Sequence, residues 1–294
     1  MVNVYEQITN NKIRSGVIVG LFIIFIGVIA YLITYSFNLD YSFFIIALIF
    51  SLFSSAASYF WGDKIVLTLN QARPTSRKEF FNFYTVTENL SLANQTPTPK
   101  IFVIDSPSMN AFATGRDPNH AVVCATTGLL EKLNRSELEA VIAHELSHIK
   151  NYDIRLMTIV SILIGTLSIL INMAYRRSFF GGNRDDDNNN GNILAILGVI
   201  LIIFAPIIAQ LIQLAISRRR EYFADASAVK LTRQPQSLIN ALKKLSLDNQ
   251  KLKTASTATA SLYIINPFKG NKIANMFSTH PPIEDRIKAL EQML

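Results

Sequence analysis

Four stretches of this chain carry no charged residue over the length a membrane helix needs: residues 15–39, 41–62, 156–175 and 193–217. A helix crosses a hydrocarbon core of roughly 30 Å with about 20 apolar residues, and soluble helices seldom stay apolar on every face for so long. Four membrane-spanning helices are therefore expected, with a buried core helix as the alternative for any one of them. The second stretch is the weakest, because it contains Ser51, Ser54, Ser55 and Ser58. Half of the 294 residues are hydrophobic and only 17% are charged, as such a chain requires. Lys12 and Arg14 precede the first stretch in the manner of a signal peptide. The apolar run that follows is far longer than the ~7–15 residues of a secretory signal, so it reads as a retained anchor.

The formal net charge of +7 sits largely on the flanks of these stretches, at Lys12, Arg14, Arg73, Arg77, Lys78, Arg218, Arg219 and Arg220. The positive-inside rule accounts for that pattern, and no nucleic-acid partner is expected. With four spans, both termini and the two longer polar segments, 63–155 and 218–294, fall on the cytoplasmic side and can fold together. Residues 37–40 and 176–192 would lie outside. Arg176 and Arg177 run against this topology, although Asp185, Asp186 and Asp187 follow them. Cys124 is the one cysteine, so no intrachain disulfide is possible, and its apolar surroundings at 121–126 suit a buried strand residue.

Within the first polar segment, residues 77–93 read as an amphipathic helix, ended by Pro97 and Pro99 before an apolar strand candidate at 101–104. Residues 110–115 and 121–126 suit a short hairpin turning at 115–119. A helix then starts at Ser136, with Glu139 in capping-box position and apolar Leu138, Val141, Ile142, Leu146 and Ile149 on one face. In the second segment, 236–247 reads as an amphipathic helix, 254–261 as loop, and a final helix begins at about Pro281.

The helix from Ser136 carries His144-Glu145-Leu146-Ser147-His148, the pattern H-E-x-x-H. Histidines four apart face the same way, so two imidazoles can reach one Zn²⁺. Glu145 points about 100° round the helix, near enough to take a proton from a water activated there without occupying the metal. A catalytic zinc site needs a third protein ligand and an open position. Glu221 is the first candidate: on continuous helices rising about 1.5 Å per residue, it and His148 come to within about one turn of the same height above the membrane. Asp225, four residues on, can accept a ring N–H from a ligating histidine. The competing reading of Glu221 is a surface ion pair among arginines. His280 and Arg286 either steady the oxyanion of the tetrahedral intermediate or belong to the start and surface of the last helix. His120, in a polar turn, reads as solvated.

Four pieces carry a resemblance: SPSMNAFATG at 106–115, VIAHELSHIKNYD at 141–153, SRRREYFAD at 217–225 and STHPPIEDRI at 278–287. They resemble the HtpX family of bacterial membrane-bound heat-shock zinc metalloproteases, relatives of the CAAX prenyl proteases. The resemblance implies one zinc per chain on His144, His148 and Glu221, with Glu145 as general base. It also implies that Asn110, Ala111, Phe112, Ala113 and Thr114 lie beside the substrate channel as an edge-strand element. Where that pattern has a small residue before the aspartate, this chain has Tyr152.

The expected fold is thus a mainly α membrane protein with four transmembrane helices and a cytoplasmic α+β, zincin-like protease domain containing a small sheet. Residues 1–62 hold the N-terminal segment and first two spans, 63–155 the first part of the protease domain, 156–217 the other two spans and the outer loop, and 218–294 its second part. The expected activity is endopeptidase cleavage of damaged membrane proteins at the cytoplasmic face of the cell membrane, in quality control under stress. Protein substrates and membrane lipid are the expected partners. A prenyl-protein protease would use the same chemistry but with a larger chamber and more spans. A zinc-stabilised scaffold would need a closed, typically Cys-rich site, and a transporter would need ionisable groups within its spans.

Overall fold

The computed structural model describes residues 4–36, 40–180, 218–250, 252, 254–256, 258–267 and 281–294. The chain opens with two long helices, α1 (Val4–Ser36) and α2 (Tyr41–Phe60), packed together, followed by α3 (Gly62–Leu69). Among the described residues, Ile8–Tyr31 of α1 is long and apolar enough to cross a membrane. The second expected span, 41–62, is filled by α2, whose apolar part, Phe44–Phe60, is long enough to cross a membrane only together with Gly62–Leu69, and these two meet at 85° with Trp61 at the corner. The third expected span lies within α7 (Asp153–Phe180), and the fourth falls outside the described residues, as do Arg184 and the acidic loop beside it.

Four strands form one sheet: β1 (Arg73–Pro74), β2 (Lys100–Ile104), β3 (Ala111–Gly115) and β4 (Ala121–Thr126), in the order β1-β2-β4-β3. The hairpin expected around 115–119 is present as the antiparallel pair β3–β4. Gly115 starts its turn at φ +135°, where a Cβ would lie 2.2 Å from the His120 carbonyl oxygen, so only glycine fits. β2 runs parallel to β4, and β1 adds a two-residue antiparallel edge that the sequence reading missed. Its Pro74 lacks a ladder donor, which an edge tolerates.

Both faces of this sheet are covered. Val103, Ala113, Val123 and Ala125 face a core shared with helices α4 (Phe81–Ala93), α6 (Arg135–Lys150), α8 (Arg218–Thr232), α9 (Pro235–Leu247) and α10 (Ile283–Glu291). The alternate residues Ile104, Phe112, Val122 and Cys124 face Val66 of α3, Met157 and Ile162 of α7, and Tyr263. Two buried faces explain why the strands read as continuous apolar runs. Cys124 is fully buried, as expected, and burial pushes its thiol up. A third cluster joins Ile18, Phe22 and Ile26 of α1 to Leu156, Ile159, Val160 and Leu163 of α7, fastening α1 to the helix that follows the H-E-x-x-H motif.

The short helix α5 (Thr127–Lys132) leads into α6, whose cap differs from the one expected. Asn134 caps the helix, accepting the Glu137 N–H at 2.9 Å, while the Glu137 carboxylate accepts the Asn134 N–H at 2.9 Å. Ser136, expected as the cap, donates its hydroxyl to Asn134 Oδ1 instead. Asn and Ser are comparable caps, and the extended backbone at Asn134 (φ −72°, ψ 171°) decides between them.

Candidate active site

α6 is not amphipathic in its setting: from Ala140 to Ile149 every residue is buried, the polar ones included. Its chemical face meets α8, so His144 and His148 stand opposite Glu221. His144 Nε2 and His148 Nε2 are 3.2 Å apart, and they lie 3.6 and 3.5 Å from the two carboxylate oxygens of Glu221. Tetrahedral zinc with bonds of about 2.0–2.1 Å puts its ligand atoms about 3.3–3.5 Å apart, the order of the Nε2–Nε2 separation and of the distance from each Nε2 to its own Glu221 oxygen.

Each imidazole is held from behind by a carboxylate. Asp225 Oδ1 lies 2.9 Å from His144 Nδ1, and Asp153 Oδ2 lies 3.0 Å from His148 Nδ1. A proton on each Nδ1 satisfies those contacts and leaves two Nε2 lone pairs facing each other, an arrangement that calls for a cation between them. Charge leads to the same conclusion. The carboxylates of Glu145, Asp153, Glu221 and Asp225 are buried, and the guanidiniums near them are those of Arg286 and Arg220. With neutral imidazoles the group carries two uncompensated negative charges, matching one divalent cation. Burial opposes the charge on His144, but the carboxylates of Asp225 and Glu221 outweigh it and raise its pKa to about 9. Burial lifts Glu145 above the usual carboxylate range.

Arg286 is neither on the surface nor free to reach out. It is fully buried, and its Nε and one terminal nitrogen donate to the two oxygens of Asp225 at 2.8 and 2.6 Å. Its other terminal nitrogen donates to the Ile264 carbonyl at 3.3 Å and stands 3.7 Å from Glu221. Burial disfavours the charge of Asp225, yet this pairing keeps its carboxyl below the usual range. His120 is half-exposed in the hairpin turn, with Asp117 at 2.8 Å and Arg116 at 3.1 Å, apart from the group. His280 lies outside the described residues.

Of the substrate-channel candidates, Ala111, Phe112, Ala113 and Thr114 form β3, an edge strand of the sheet, and Asn110 directly precedes it. Asn110 accepts the Thr126 N–H from β4, so the outward backbone groups belong to Ala111 and Ala113. The Ala111 carbonyl already accepts the Ile264 N–H at 2.9 Å, and the Asn110 carboxamide donates to the Ile265 carbonyl at 3.0 Å.

The sequence reading gave Asp153 no role. The left-handed backbone of Tyr152, at φ +60°, turns the chain between α6 and α7 and brings Asp153 back beneath His148. An acid just past a histidine-bearing helix was the available signal.

The sequence model of peptidase family M48 matches residues 82–294, which include every one of these groups. A protease HtpX homolog of Dictyoglomus turgidum is 45% identical over 289 residues, covering 98% of this chain and 94% of that protein. One from Ligilactobacillus salivarius is 43% identical over 294 residues, covering 98% and 99%. The crystal structure of S. mikatae Ste24p superposes with a TM-score of 0.50 at 25% identity, covering 90% of this chain. This chain spans 62% of the Ste24p chain's length. With a family match over most of its length and such relatives over nearly all of it, the chain belongs to peptidase family M48 and is a metalloprotease of the HtpX kind.

Proposed function

We propose that this chain is a one-zinc endopeptidase of the cytoplasmic membrane, spanning it four times, with its active site on the cytoplasmic side and membrane proteins among its substrates. The observation that carries the metal assignment is the meeting of His144, His148 and Glu221 at tetrahedral-edge distances inside a buried, net-negative group. When bound, zinc supplies a Lewis acid that polarises the scissile carbonyl and acidifies water. Asp225 and Asp153 hold the histidine protons on Nδ1 and so aim both Nε2 atoms. Glu145, its pKa lifted by burial, takes a proton from the attacking water and passes it to the leaving amine nitrogen. Arg286 acts through Asp225 as a positioning residue, and of the two roles open to His280 from the sequence, oxyanion partner and start of the last helix, we take the first. Substrate joins the outer edge of β3 as an added extended strand, with Ala113 offering the main-chain donor and acceptor.

Zinc content and proteolysis of a membrane-protein substrate, measured side by side in Glu145→Gln and Glu221→Ala, test this reading. Glu145→Gln should hold about one zinc per chain and lose about 10²–10⁴ in rate; Glu221→Ala should lose the metal itself. Near-normal turnover in the first, or full zinc occupancy in the second, overturns the assignment.

A further inference from the structure

Helix α1 contains the apolar stretch Ile8–Tyr31, yet near its start it buries a carboxamide: Asn11 is 3% exposed. A buried amide is costly unless its hydrogen bonds are made, and here both ends of the group are used. Its Nδ2 donates to the Asn151 carbonyl at 2.9 Å and to Asp153 Oδ1 at 2.7 Å, and its Oδ1 accepts from Arg220 at 3.1 Å. These partners sit at the end of α6, the start of α7 and beside Glu221 on α8. Those are the elements that carry or orient the three proposed ligands. Asp153 divides its two oxygens accordingly: Oδ1 is taken by Asn11, and Oδ2 lies 3.0 Å from His148 Nδ1.

We infer that Asn11 is a positioning residue for the metal centre, through which the first membrane helix sets the orientation of His148. A carboxylate anchored only by the imidazole could rotate about its Cβ–Cγ bond and let the ring turn with it. With Oδ1 pinned by Asn11, Oδ2 holds the proton on His148 Nδ1 and presents Nε2 to the metal. The Arg220 nitrogen that donates to Asn11 also lies 3.7 Å from Asp153 Oδ1, the oxygen that Asn11 holds. The membrane helix is thereby part of the catalytic apparatus and more than an anchor, and a shift of α1 would be felt as a change in metal affinity. The inference rests on the reading of His148 as a zinc ligand.

A competing role for Asn11, as a fastener of α1 with no bearing on the metal, predicts different numbers. The zinc dissociation constant is measured by competition with a chromogenic chelator on the full detergent-solubilised chain, together with thermal stability. Asn11→Leu, which keeps the volume and removes the hydrogen bonds, should weaken zinc binding by about 10- to 100-fold. In an Asp153→Ala background the same substitution should add no further loss, because the path to His148 is already cut. Ile18→Ala, a packing change on the same helix against α7, should lower the melting temperature and leave the zinc constant unchanged. If Asn11→Leu does not fold, Asn11→Ser takes its place with the same expected direction. Wild-type zinc affinity in the Asn11 variant, losses that multiply in the double variant, or equal weakening by Ile18→Ala overturns the inference. Unchanged zinc affinity in His148→Ala instead overturns the ligand reading, and the inference with it.

Discussion

The metal-site residues divide by how far their partners lie along the chain. His144 and His148 are legible because a helix repeats its faces every four residues, and Glu221 because it closely follows the fourth expected span as His148 closely precedes the third. Asn11 and Asp153 are 142 residues apart and joined by one hydrogen bond, which no local pattern announces. Arg286 was read as either an oxyanion partner or a surface group because a helix of mixed polarity hides which face is enclosed; its double hydrogen bond to Asp225 gives it a third role. Lysine keeps the charge but cannot form that fork. Arg286→Lys should therefore lower zinc affinity or turnover by about tenfold or more, read by chelator competition and by kcat. Tyr152 offers a second test. Its left-handed backbone costs roughly 1–2 kcal/mol, while its ring stacks under Lys12 at 4.5 Å and Arg155 at 5.0 Å, contacts worth about 0.5–1 kcal/mol each at exposed sites. Tyr152→Gly exchanges one for the other and should stay within about 1 kcal/mol of wild type in denaturant unfolding, whereas Tyr152→Ile keeps the strain, loses the stacking and should destabilise clearly.

Secondary elements were legible where one pattern dominated: β2, β3 and β4 appear where short apolar runs placed them, and α6 and α9 where helical spacing did. The errors fall at boundaries. The cap of α6 moved from Ser136 to Asn134, a choice made by backbone conformation between residues of similar propensity. The second expected span ends where α2 does, just ahead of Asp63 and Lys64, but nothing in the composition shows that α3 then leaves at 85°. β1 is too short to have a period at all. The capping box is checkable: Asn134→Ala should cost about 1 kcal/mol of stability. Glu137, tied to Lys244 of α9 at 2.7 Å, keeps its other partner in that variant. For β3, Ala113→Pro removes the one outward N–H proposed to pair with substrate, at an edge position that spares the β3–β4 ladder. It should depress kcat/KM with zinc content unchanged; full activity would move substrate binding elsewhere.

On the scale of the whole molecule, the proposed topology places residues 176–192 outside the cell and both termini inside. Cys124 is buried, so a Cys124→Ala background with one new thiol at a time reports cleanly. A membrane-impermeant thiol reagent should label Asn189→Cys but not Asn249→Cys in intact cells; labelling of the second before lysis would invert the arrangement. The burial of Arg286 against Asp225 has one more consequence, and it concerns time. Synthesis delivers His144, His148 and Glu221 well before α10, which carries the arginine that holds Asp225 in place. A chain still on the ribosome thus has its metal-binding groups without the brace that sets them. The brace on Asp225 is completed only when α10 has emerged and docked, so the last stretch of chain to be made is the one that fixes the group built by the earlier ones.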